Sequence, residues 1–132
     1  MKLTKNFNKI EFDSKDGAEM PDKVLENIKK LAKQLQVLRD EIGQSIHINS
    51  GYRSPQHNKK VGGVDNSFHL IGKAADITSK NYTPKKLYKV IQKLINEGKI
   101  DEGGIGLYNG FVHYDIRGYK ARWDNSSMFN FL

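Results

Sequence analysis

The sequence predicts an α+β fold, a small and mainly antiparallel sheet with helices packed on it. Three observations carry this. From Asp22 to Ile42, the residues Val24, Leu25, Ile28, Leu31, Ala32, Leu35, Leu38 and Ile42 recur at three- and four-residue steps, the apolar stripe of a long amphipathic helix. A second stripe of Leu87, Tyr88, Val90, Ile91, Leu94 and Ile95 follows Thr83-Pro84, which suit a helix N-cap and first turn. The remaining apolar runs are short and carry strand patterning or turn signals.

Taken in order, Pro21 suits the first turn of the first helix and Gly43 its end. "SIHINS", Ser45 to Ser50, alternates polar and apolar residues as a half-buried strand does. "GYRSPQHNKKVGGVDNS", from Gly51, is rich in Gly, Ser, Pro and Asn and reads mostly as loop, with a short helical turn after Pro55. "GKAADITS", Gly72 to Ser79, reads as a buried strand. Gly98 closes the second helix. "GGIGLYNGFVHYDIRG" then reads as two short strands around Asn109-Gly110, a strong hairpin signal.

At 132 residues the chain has the size of one domain, so residues 1–132 are expected to share one core. Its 37% hydrophobic and 10% aromatic content argues against disorder. No apolar run approaches the roughly 20 residues that cross a membrane. "MKLTKNFNKIEF" lacks the apolar core of a secretory signal, so the chain is expected to be cytoplasmic as synthesised. There are no cysteines, which excludes disulfides, thiolate nucleophiles and cysteine zinc sites. Any transition metal falls to His, Asp or Glu. The net charge of +7 favours a polyanionic partner. The lysines are scattered in pairs along helices, as in Lys29-Lys30 and Lys85-Lys86, where a nucleic-acid reader would cluster them.

Three segments hold polar residues that a purely structural chain would seldom need. They are "GYRSPQHN" with Arg53, "SFHLIGKAAD" with Ser67, His69 and Asp76, and "FVHYD" with His113 and Asp115. In the last two, each imidazole stands beside strand-like apolar residues. Catalytic zinc takes three protein ligands and one water. Two neutral histidines and one carboxylate leave a net positive charge, which lowers the pKa of a bound water toward 7. His69, Asp76 and His113 make one such set, and Gly72 would let the chain turn between the first two. Spacing alone leaves a second reading open. His69 and Asp76 could be a hydrogen-bonded pair, and His113 a satisfied strand residue.

"NSGYRSPQHNKKVGG", "SFHLIGKAADI" and "GGIGLYNGFVHYDIRGYKARW" together resemble the zinc D-alanyl-D-alanine carboxypeptidase family. That family includes vancomycin-resistance-type D,D-peptidases and phage L-alanyl-D-glutamate endopeptidases. Its Ser-x-His-x-x-Gly-x-Ala-x-Asp pattern is met at Ser67, His69, Gly72, Ala74 and Asp76, and His113 supplies the late histidine. The resemblance spans about Glu11 to Trp123. It implies the α+β fold shared with the hedgehog signalling domain, and Zn2+ held by His69, Asp76 and His113. It also implies Arg53 beside the metal, binding substrate or polarising the scissile carbonyl, where a structural salt bridge is the alternative. Ser67 matches a pocket serine, or caps a turn.

Many relatives carry an acidic residue three positions before the last histidine as general base, and here that position is Gly110. Asp115 is the nearest carboxylate, on the same strand face as His113. It is the expected base; orienting an imidazole or pairing with Arg117 are its other possible roles. The resemblance thus implies a zinc peptidase acting on the stem peptides of peptidoglycan; a monomer without nucleic-acid or membrane partners is expected, and the missing export signal fits phage or prophage delivery to the cell wall. The competing expectation is a non-catalytic, zinc-containing wall-binding module of the same fold.

Overall fold

A computed structural model describes residues 1–126. Positions 127–132 of the expected 1–132 domain lie outside the described residues. Helix α1 (Asp22–Ile42) forms where the apolar stripe places it, and buries Val24, Ile28, Leu31, Ala32, Leu35, Leu38 and Ile42. Pro21 stands at its N-cap, one step before the first turn, and Gly43 closes it in the left-handed region at φ 64. Strand β1 (His47–Ser50) is shorter than the alternating run that predicts it. The turn after Pro55 is a helix, α2 (Pro55–Lys60), capped by the Ser54 hydroxyl accepting from the His57 N–H. A 3-10 turn, Phe68–Ile71, leads through Gly72, at φ 76, into β2 (Ala74–Thr78). His69 therefore sits on a tight turn and not beside strand residues.

Helix α3 (Pro84–Asn96) starts under the Thr83 cap, whose Oγ1 accepts the Lys86 N–H at 3.2 Å. The expected hairpin is β3 (Gly104–Leu107) and β4 (Val112–Asp115). Strand β5 (Ala121–Asp124), in "YKARW", is an addition to the expected elements and pairs parallel to β3. Its residues, Ala-Arg-Trp-Asp, do alternate apolar and polar, but the run is only four residues long and its partner is remote in sequence. The sheet runs β1-β2-β4-β3-β5 and every other pairing is antiparallel, so the α+β expectation holds.

Side chains alternate across the sheet. Ile48, Ala75, Ile77, Ile105, Leu107, Val112 and Tyr114 join the core beneath α1 and α3. Each fully buried Leu or Ile there contributes about 1.5–3 kcal/mol through removal from water. The opposite face differs. One row crosses all five strands: Ser50 pairs with Asp76, Asp76 with His113, His113 with Gly106, and Gly106 with Trp123. The N-terminal segment anchors the end of β1, where the Tyr52 N–H donates to the Phe12 carbonyl at 2.8 Å. No helix among the described residues is long and apolar enough to cross a membrane.

Candidate metal centre

The register of β2 against β4 sets Asp76 beside His113, and the 3-10 turn swings His69 over both. Ligand atoms of His69, Asp76 and His113 all lie within 4.8 Å of one another, and all three residues are buried. His69 Nε2 is 3.3 Å and His113 Nδ1 3.0 Å from the same oxygen, Asp76 Oδ1. The other nitrogen of each ring is already engaged. His69 Nδ1 lies 2.7 Å from the Gly51 carbonyl, which can only accept, so that nitrogen carries the hydrogen. His113 Nε2 lies 2.7 Å from Asp115 Oδ2, also an acceptor. Neutral rings held this way turn two nitrogen lone pairs onto a carboxylate oxygen, an arrangement that calls for a cation. Donors about 2.0–2.1 Å from a tetrahedral zinc lie about 3.3 Å apart, so the spacing fits the ion. A carbonyl and a carboxylate behind the two imidazoles are the usual outer partners of metal-bound histidine.

The electrostatics show what takes the place of a cation, a proton shared between imidazole and carboxylate. Burial works to raise the pKa of Asp76, yet hydrogen bonds to His113 and His69 hold it well below the usual carboxylate range. Burial works to lower that of His113, but Asp115 and Asp76 outweigh it and raise the value. Arg53 bridges the site to its loops: Nη2 is 3.3 Å from Asp76 Oδ2, Nη1 donates to Asn58 Oδ1, and Nε to Ser50 Oγ. Ser67 does two things at once. Its Oγ accepts the His69 N–H, capping the turn, and the residue lines the cleft.

Asp115, the expected base, is not among the residues that line the cleft. It shares the face of His113, but it is fully buried and both its oxygens are taken. Arg117 clasps it through Nε at 2.8 Å and Nη2 at 2.7 Å, and the Gly104 and Arg117 backbone N–H groups donate to Oδ1. Burial works to raise its pKa, and Arg117 and His113 more than reverse that. A carboxylate so held is a weak base, and its Oδ2 lies against His113 Nε2. Arg117 in turn lies over the Phe68 ring, 4.4 Å from its centroid. Sequence reasoning left Arg117 at one role, a possible partner of Asp115, and its place in the cleft wall had no signal.

The cleft over this row measures about 510 Å³ and is lined by Arg53, Ser67, Tyr108, Phe111, Arg117, Tyr119 and Trp123 around the three metal-facing residues, with the Val61–Val64 loop at its edge. Asp76 is the one carboxylate among the described lining residues. Gly110 is exposed, with open space where a side chain would start. His47 is exposed, and His57 does not line the cleft. Glu102 is paired with Arg122 and likewise stands apart. Trp123 packs on His113, ring centroids 5.1 Å apart, and lines the cleft as well.

A family model described as Peptidase M15 matches residues 3–115. The match takes in His69, Asp76 and His113 and stops short of Arg117 and Trp123. No match is found among curated proteins.

Proposed function

The chain belongs to the Peptidase M15 family of zinc-dependent metallopeptidases, and from that membership we propose that it hydrolyses peptide bonds in the stem peptides of bacterial peptidoglycan, in the manner of a D-Ala-D-Ala carboxypeptidase. The observation that carries this reading is the convergence of His69 Nε2, Asp76 Oδ1 and His113 Nδ1 at the floor of an open cleft. When bound, zinc supplies a Lewis acid that lowers the pKa of a water and polarises a carbonyl.

The chain's own residues do the rest. The Gly51 carbonyl and Asp115 fix the two imidazoles, so the donor atoms are oriented before the ion arrives. Arg53 steadies Asp76 and sets a delocalised positive charge against a carbonyl or terminal carboxylate of the substrate. The Ser67 oxygen accepts from the His69 N–H, which leaves its own proton available to a substrate acceptor. Asp76 and Asp115 balance the guanidiniums of Arg53 and Arg117, so the positive charge of a bound zinc is what would favour an acidic peptide. The chain acts as a monomer at the cell wall.

The test is digestion of purified peptidoglycan by the zinc-loaded protein, with mass spectrometry of the fragments. Release of D-alanine, or of peptides cut within the stem, is expected; intact muropeptides would refute the reading. One observation favours a second reading, a zinc-containing wall-binding module without turnover: no carboxylate besides Asp76 lines the cleft among the described residues. Sedimentation with intact wall, without fragment release, is its signature.

A further inference from the structure

One hydroxyl in the cleft has its hydrogen-bonding sense dictated by its neighbour. Tyr108 follows β3, in the same turn as Gly110, and stacks on Phe111 with centroids 4.4 Å apart and planes at 11°. The Trp123 indole N–H donates to the Tyr108 oxygen at 2.9 Å. An indole nitrogen can only donate, so the phenol oxygen accepts there and its own proton must point elsewhere. No described residue accepts that proton. Both rings line the cleft beside His113.

Each partner is fixed in place. Trp123 lies flat over Gly106, where a Cβ would drive into the indole. Its ring packs on His113, so the phenol is tied through one indole to a metal-facing imidazole. The donor is therefore ordered before a ligand enters, which limits the entropy lost on binding.

We propose that Tyr108 is a substrate-binding residue whose O–H donates to a carbonyl or carboxylate oxygen of the peptide in the cleft. This rests on the peptidase reading. It adds a neutral donor to the charged ones of Arg53 and Arg117, and assigns the ligand as an oxygen-rich peptide with an acceptor left unpaired.

The test is Tyr108→Phe, which keeps the ring and its stack on Phe111 and removes the hydroxyl, both the O–H donor and the acceptor of the Trp123 N–H. Turnover of a synthetic stem pentapeptide and calorimetric binding of its cleaved products to zinc-loaded protein are measured beside wild type. A loss of about tenfold or more in kcat/KM and in product affinity is expected from one hydrogen bond to a charged or strongly polar oxygen, with zinc content and thermal midpoint unchanged. Values within twofold of wild type would overturn the proposal. So would a loss matched by falling zinc content or midpoint, because the effect would then be structural. A wild type that neither cuts nor binds the pentapeptide overturns the peptidase reading itself, and this assignment with it; a wild type that cuts, with an equally active variant, overturns the assignment alone.

Discussion

The two faces of the sheet use the same strands for opposite purposes. Beneath α1 and α3, Ile77, Ile105, Val112 and Tyr114 are buried apolar groups whose worth is the area they hide. On the reverse of those strands, Asp76, His113 and Asp115 are buried polar groups whose burial costs free energy unless each finds a partner. Every one does: Asp115 alone takes hydrogen bonds from His113, Arg117 and the Gly104 backbone. Even β3 obeys the division. Ile105 and Leu107 face the core, while Gly104 and Gly106 clear room for the Asp115 carboxylate and the Trp123 indole. The lesson is that stability and chemistry are separable here by strand parity, and substitutions can probe each alone.

The largest effect should come from His113→Ala. Stoichiometric zinc binding is lost and hydrolysis falls to background, while circular dichroism reports a folded chain. Retention of one zinc per chain would break the division of labour. Ile105→Ala is the mirror case. Truncating this fully buried side chain should cost about 2–4 kcal/mol in denaturant unfolding and leave the zinc stoichiometry intact.

Asp115→Asn sharpens the comparison on the polar face. If Asp115 orients His113, zinc affinity in a chelator competition drops about 10–100-fold. If it were the general base, affinity would hold and only turnover would fall.

The smallest effect lies at the edge of both faces. The Ser54 and Ser14 hydroxyls hold the Asp16 carboxyl down, from the ordinary 3.8 to about 2. Ser54 also caps α2, and its backbone N–H donates to Ser14 Oγ, so this cluster ties the N-terminal segment to the Arg53 loop. A carboxyl with a depressed folded pKa stabilises above its unfolded value, and that contribution vanishes as pH falls toward 2. Asp16→Asn should therefore lower the thermal midpoint at pH 5, with the gap to wild type closing near pH 2. An equal gap at both values would show that charge plays no part.

The helices were legible because period and caps are local: the stripe of α1, Thr83 before Pro84 and Gly43 at φ 64 all act within a few residues. The hairpin was legible for the same reason, through Asn109-Gly110. His69 and Asp76 could be singled out through the turn that Gly72 permits. The fifth strand could not, since β4 separates it in sequence from its partner β3 and four alternating residues are too short a run to stand out. Nor could the state of Asp115. Residue spacing correctly put it on the face of His113, but only the fold showed Arg117 closing over it and Gly104 donating beneath it.

By itself, then, the sequence determined which residue types were present to bind a metal and on which side of a strand each would fall, because backbone geometry sets side-chain direction over short distances. Tertiary structure alone decided which oxygens and nitrogens remain free. That depends on partners brought together from far along the chain, and a buried polar atom takes whichever partner packing places within reach.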